Sequence, residues 1–172
     1  MAKSTIKLTK YADVIIERRA DAAIIPGMLL ELNSDNEVLK HDAAGGNVAP
    51  VMFALEQELE GKGIEDSYAA GDLVQTWIPG RGDVVYAILA DEEDVAIGDY
   101  LESHGDGYLR KHVPVGDTSS TIVGTFTVYP NQIVAMALEA MDLLGSTGAD
   151  ASHVESSAGV LAWNKRIRVM VV

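Results

Sequence analysis

The feature that most constrains the fold is a match of the chain with itself. GMLLELNSDNEVLKH, residues 27–41, aligns without gaps on GDYLESHGDGYLRKH, residues 98–112, at an offset of 71. Six of the fifteen positions are identical: Gly27/Gly98, Leu30/Leu101, Glu31/Glu102, Asp35/Asp106, Lys40/Lys111 and His41/His112. The pattern is that of a β-hairpin. Gly opens the strand, Leu fills the core, Asp followed by Asn or Gly supplies the positive φ of a tight turn, and the return strand ends in Lys-His. A further β-rich run follows each unit, 48–54 after the first and 122–128 after the second. Two related β modules in one chain predict a small barrel or sandwich.

The remaining chain fits that reading. Residues 73–78 and 84–90 are β-rich and joined by Pro79-Gly80-Arg81-Gly82-Asp83, which predicts a hairpin connection. Residues 121–129 are β-branched and aromatic throughout and predict a strong strand. The acidic, Gly-spaced stretch 56–70 predicts a surface loop, and the small, polar residues 146–159 a long loop or linker. Residues 165–172 predict a closing strand with Arg166, Arg168 and Met170 on one face. One segment predicts an α-helix: QIVAMALEAMDLL, residues 132–144, is rich in helix formers, places Ile133, Met136, Ala137, Ala140, Met141 and Leu144 on one face, and is followed by Gly145. The first 25 residues have poor helical periodicity and predict an extended arm, with residues 26–172 forming the β-rich body.

Charge is unevenly placed. The chain carries 13 Lys and Arg against 26 Asp and Glu, a formal net charge of −13. Residues 1–19 and the last eight residues are each net +3, so the body between them is net −19. This argues against a protein that tracks a phosphate backbone and makes the two ends the candidate gripping parts. No apolar run approaches the roughly 20 residues of a membrane span, and the start lacks a continuous secretory apolar stretch, so a cytoplasmic site of synthesis is expected. There are no cysteines, hence no disulfides, thiol nucleophile or thiolate metal site.

Chemistry-bearing motifs are sparse. His41, His104, His112 and His153 lack metal-ligand spacing, and the placement of His41 and His112 at matching repeat positions points to a structural role. There is no nucleophile elbow, P-loop or GxGxxG before a helix. The acidic clusters 56–60 and 91–94 lack Ca²⁺-loop spacing and read as solvated faces. Arg81-Gly82-Asp83 matches an integrin-read tripeptide, but Gly and Asp are expected in this turn. Trp77 and Trp163 read as core or interface anchors. No catalytic, cofactor-binding or metal-binding residue is assigned.

With these residues laid out, the chain resembles the head decoration, or cement, proteins of tailed bacteriophages. The resemblance is carried by GDLVQTWIPGRGDVVYAILA, AIGDYLESHGDGYLRK, IVAMALEAMDLLG and RIRVMVV, about the last hundred residues. It implies a mainly β fold of β-tulip or SH3-like modules with one helix and no enzymatic activity. It also implies a structural role on the virion exterior, the major capsid protein as partner, and assembly as a homo-oligomer, a trimer before a dimer. Neither direct nucleic-acid nor membrane binding is expected. The basic, apolar arm suits capsid contact: the candidate contact residues are Lys3, Ile6, Lys7, Leu8, Lys10, Val14, Ile15, Ile16, Arg18 and Arg19. Two competing readings are another virion component, such as a tail subunit, and a small oligomeric β-barrel hydrolase acting on a nucleotide or sugar. The hydrolase would use acids such as Asp83, Asp99 or Asp106.

Overall fold

The computed structural model describes residues 5–9, 14–114, 130–145 and 165–172, and the backbone alone of 154–155 and 161–162. The described chain is built of short strands: β1 (Lys7–Thr9), β2 (Val14–Arg19), β3 (Leu30–Leu32), β4 (Val38–Lys40), β5 (Phe53–Ala54), β6 (Leu73–Ile78), β7 (Val84–Ile88), β8 (Asp94–Val95), β9 (Tyr100–Ser103), β10 (Leu109–Lys111), β11 (Ile133–Ala137), β12 (Met141–Asp142), β13 (Val154–Glu155), β14 (Leu161–Ala162) and β15 (Arg166–Val171). They form a six-stranded sheet β1-β7-β15-β11-β9-β10, a three-stranded sheet β2-β6-β5, and the pairs β3-β4, β8-β12 and β13-β14. Pairing within these sheets is antiparallel.

Both halves of the sequence repeat are hairpins in one register. Leu30 opposes Lys40 as Leu101 opposes Lys111, and Glu31 opposes Leu39 as Glu102 opposes Arg110. The turns match as well: Asn33 N–H donates to Glu37 O at 3.0 Å and His104 N–H to Tyr108 O at 2.9 Å. Asn36 and Gly107, at the same repeat position, take φ of 62° and 84°. A non-Gly residue pays a steric cost there that asparagine bears better than most.

The duplication extends beyond the segment that sequence identity marks. Gly27 N–H donates to Ala54 O and Ala54 N–H to Met28 O, while Gly98 N–H donates to Ala137 O and Ala137 N–H to Asp99 O. β11 is therefore the counterpart of β5. The expected counterpart, residues 122–128, and the strand expected at 121–129 lie outside the described residues. β5 then pairs with β6 and β6 with β2, as β11 pairs with β15 and β15 with β7. A lone parallel bridge ties the end of each module's first strand to its hairpin, Ala20 to Val38 and Leu89 to Leu109. These single-residue bridges leave the sheets open, and among the described residues none closes into the expected barrel.

The core follows this plan. One apolar cluster holds Val85, Leu101, Val134, Ile167 and Val169 of the second module together with Leu29, Phe53 and Trp77 of the first. The other holds Leu30, Val38, Ala54, Tyr68 and Val74. The alternation of β6 sends Trp77 into the shared cluster and Val74 into the other, so the first module is apolar on two faces.

Three sequence expectations are corrected. Residues 132–144 form no helix: Ile133–Ala137 is strand β11, and Met141–Asp142 is β12. Local helix propensity yields to pairing on both edges, with β9 on one side and β15 on the other. Residues 73–78 and 84–90 do not form a hairpin, since β6 and β7 enter different sheets. The linker turns the chain from one module to the next: Asp83 Oδ2 accepts from Gly80 N–H at 2.8 Å, and Gly82 N–H donates to Val171 O at 2.9 Å. Arg166, at the basic C-terminal end expected to grip a partner, is 1% exposed. The loop expected at 56–70 is present and carries one 3-10 turn, Glu58–Glu60. Of the loop expected at 146–159 only Val154–Glu155 is described, as β13.

Candidate functional site

Each hairpin ends in a histidine facing a glutamate of its own first strand. In the second module the Glu102 carboxylate is buried, and its oxygens are saturated. Oε1 accepts from Arg110 Nε at 2.8 Å and Nη2 at 2.7 Å; Oε2 accepts from His112 Nδ1 at 2.6 Å and Gln132 Nε2 at 2.9 Å. In the first module Glu31 Oε2 lies 3.6 Å from His41 Nε2 and its side chain is 31% exposed. Burial, only partly offset by the charge of His41, pushes the Glu31 carboxyl above its ordinary range. The other ring nitrogen of His41 crosses the module boundary to Ser103 Oγ at 2.8 Å, and Ser103 Oγ in turn accepts from Gly105 N–H at 3.2 Å. His41 Nε2 also stands 3.3 Å from the Asn47 carbonyl oxygen, which can only accept, so this nitrogen carries a proton. These arrangements fasten strands.

Two clefts occupy matching places beside these pairs. One, of about 300 Å³, is lined by Glu31, His41 and the segment Asn47–Pro50 that leads into β5. The other, of about 570 Å³, is lined by His112 and the segment Pro130–Ile133 that leads into β11, with Arg81, Tyr100 and Val172 completing it. Arg81 is exposed and has no hydrogen bond or ion pair among the described residues.

The predicted contact residues fall into distinct settings. Lys3 and Lys10 lie outside the described residues. Ile6 is fully buried in the shared core, with its N–H bonded to Glu56 Oε2 at 3.1 Å and its carbonyl accepting from Tyr86 N–H at 2.9 Å. Lys7 and Leu8 belong to β1, which pairs with β7, and Leu8 packs against the core. Val14, Ile15, Ile16, Arg18 and Arg19 belong to β2. Val14 is 51% and Ile15 40% exposed, whereas Ile16 packs inward. Arg18 Nε donates to Asn36 Oδ1 at 3.1 Å and Arg19 Nη1 to Gly71 O at 2.8 Å.

The bases of the C-terminal strand are engaged within the chain. Lys165 pairs with Asp91, Arg166 Nη1 lies 3.2 Å from Glu65 Oε1, and Arg168 Nε lies 2.8 Å from Glu139 Oε2. The acids that a hydrolase would use are likewise separate and occupied. Asp83 is 0% exposed and caps the linker, Asp99 Oδ2 meets Lys111 Nζ at 2.7 Å, and Asp106 Oδ1 meets His104 Nδ1 at 3.1 Å. Burial of Asp83 also removes the acid of the Arg-Gly-Asp tripeptide from any receptor's reach. Among the described residues no group of three His, Asp or Glu side chains converges as metal donors. Sequence reasoning missed Ser103, Gln132 and Arg166, whose roles arise from residues 62, 30 and 102 positions away.

No protein-family model matches the chain, and no curated protein matches its sequence. Its fold is similar to a solved structure described as the head fiber gp8.5 N base in bacteriophage phi29. The TM-score is 0.50 at 14% identity, and the match covers 94% of this chain and 95% of that one.

Proposed function

We propose that this chain is a structural protein of a tailed-phage head, a decoration protein that binds the outer capsid surface and stabilises the expanded head. The observation that carries the reading is the similarity of nearly the whole two-module fold to a phage head fiber base. The resemblance of its hairpin and closing-strand sequences to head decoration proteins agrees with it. So does the use of histidines and carboxylates as fasteners between strands, which favours a non-enzymatic role over the hydrolase alternative.

The capsid-facing residues in this reading are those of β2, with exposed Ile15 and Arg19 on its outer face and exposed Val14 and half-buried Arg18 on the face that carries Ile16, and with Lys7 and Leu8 of β1 as further candidates. Ile6 serves the core instead. The partner is the major capsid protein and the location is the virion exterior. The test is co-sedimentation with undecorated, expanded heads. Wild-type protein should pellet with the heads, and Val14→Asp combined with Ile15→Asp should weaken binding about tenfold or more while the circular dichroism spectrum is kept. Deleting residues 2–19 would strip β1 and β2 from their sheets, so point variants are the informative ones. Protein that stays in the supernatant at saturating head concentration overturns the proposal.

A further inference from the structure

Two surface features of this chain are complementary to each other and cannot meet within one copy. The first is a knob. Leu59, 93% exposed, sits in the 3-10 turn Glu58–Glu60 between two exposed glutamates. The turn is fixed by its backbone: Glu60 N–H donates to Gln57 O at 3.0 Å, Gly61 N–H to Glu58 O at 2.9 Å, and Lys62 N–H to Gln57 O at 3.2 Å. Gly61 leaves the turn at φ 74°, so the leucine is held out on an ordered loop. The second is the larger cleft beside β11. Its walls include Pro130, Val172, Tyr100 at 50% exposure and Ile133 at 37%, and its one full cation, Arg81, has no partner among the described residues.

Their chemistry matches. An apolar side chain flanked by carboxylates matches a cleft of mixed lining, in which Tyr100, Pro130, Ile133 and Val172 stand with His112, Asn131, Gln132 and a guanidinium that has no partner among the described residues, on a body where acids outnumber bases by 24 to 5. Arg81 is one of those five bases. Tyr and Arg in a concave surface are also residue types that dominate binding energy at protein contacts. The knob and the cleft lie toward opposite ends of β6. Leu55 N–H bonds to Gln75 O, which leads the chain from β5 toward the Leu73 end, whereas Arg81 follows the Ile78 end.

We infer that the cleft beside β11 receives Leu59 of a second copy of this chain, with Glu58 or Glu60 of that copy against Arg81. Each copy carries both halves, so the contact either pairs two copies reciprocally about a two-fold axis or, made once per copy, closes into a larger ring or continues as a filament. The inference is independent of capsid binding: copies that stay single in solution yet pellet with heads would reject this contact and leave the proposed function standing.

Sedimentation velocity over a concentration series tests it. Wild-type protein should assemble beyond the monomer as concentration rises. Leu59→Asp and Arg81→Glu should each shift the midpoint at least about tenfold, as expected for losing one buried leucine or a desolvated charge pair, with unchanged circular dichroism. A contact between two unlike halves adds a signature that loss of folding cannot imitate. The Leu59→Asp protein retains an intact cleft and the Arg81→Glu protein an intact knob, so their equimolar mixture should give a species of one copy of each. Wild type that remains monomeric throughout, an oligomer that both variants leave intact, or a mixture that stays monomeric overturns the inference.

Discussion

His112 Nδ1 stands 2.6 Å from Glu102 Oε2 at the end of the second hairpin, and seventy-one residues earlier His41 Nε2 stands 3.6 Å from Glu31 Oε2 at the end of the first. The same two identities have been kept in both modules for one geometric job, closing the open end of a hairpin. The modules differ in burial. Glu102 has a side-chain exposure of 4% and four donors, while Glu31 is 31% exposed and faces one histidine. Glu102→Ala should therefore cost about 2–3 kcal/mol, since it takes the shared acceptor from Arg110, His112 and Gln132, whereas Glu31→Ala should cost less than about 1 kcal/mol. Urea unfolding of the two variants compares them directly; equal losses would contradict the burial argument.

Asp99 and Lys111 make the second prediction, a titration. The Lys111 ammonium, and after it the Ala96 N–H, hold the Asp99 carboxyl below its ordinary range, and Asp99 in turn raises Lys111. A carboxyl lowered by folding adds stability above its unfolded pKa of about 3.9, and that stability is lost as pH falls through the lower folded value. NMR titration should place Asp99 below the ordinary aspartate value. Lys111→Ala should move it most of the way back, the remaining offset belonging to the Ala96 N–H. An Asp99 that titrates unchanged in the variant would remove Lys111 as the cause.

How far the sequence led can be read from these residues. The hairpins were legible because their turns need a residue that bears positive φ, Asn36 or Gly107, at one position and their cores need Leu30 and Leu101 at another, demands local enough to be read from residue type. The counterpart relation of β5 and β11 was not legible. It is defined by backbone hydrogen bonds of Ala54 and Ala137, which any residue can make, and the connecting loops differ in length. Formal charge says nothing of partners: at the C-terminal end Arg166, Arg168 and Lys165 meet acids far away in sequence. Of the expected contact surface, Val14 and Ile15 are exposed, but alternation alone did not show that Ile6 fills the core.

Thr76 gives a prediction from the duplication itself. It is fully buried in β6, its Oγ1 has no hydrogen-bond partner among the described residues, and it pairs with Ala54 of β5 and Ile16 of β2. Val169 holds the matching place in β15, between Ala137 and Val85. Thr76→Val should keep the shape, remove a buried hydroxyl without a partner, and raise stability by about 1 kcal/mol in urea unfolding. A loss of stability would mean that the hydroxyl is satisfied.

Met136 separates strand from helix in solution. It is half-buried in the middle of β11, opposite Met170 on one side and Tyr100 on the other. A β-branched residue suits a paired strand and slightly disfavours a helix, so Met136→Val should be neutral or stabilising by up to about 1 kcal/mol. A clear loss in thermal unfolding would favour the helix that local propensity suggests.

Arg166 ties the end of one module to the start of the other, and its removal should be the most damaging of these changes. From β15 its guanidinium reaches back across the fold: Nη2 donates to Pro26 O at 2.9 Å and to Ile64 O at 2.6 Å, and Nη1 lies 3.2 Å from Glu65 Oε1. Gly27 makes room for it, because a Cβ there would stand 3.3 Å from Arg166 Nε and 3.0 Å from Tyr86 O. Burial lowers the guanidinium's pKa, but from an ordinary value so high that it stays charged at neutral pH. Arg166→Ala strips two buried carbonyls of their donor and should cost about 3–5 kcal/mol, while Glu65→Gln, at a carboxylate that water still reaches, should cost about 1 kcal/mol or less. Hydrogen exchange adds the spatial readout. In the alanine variant, protection should fall first around Pro26 and Ile64, the segments Arg166 holds, and a uniform loss across both modules would show that it contributes bulk packing alone.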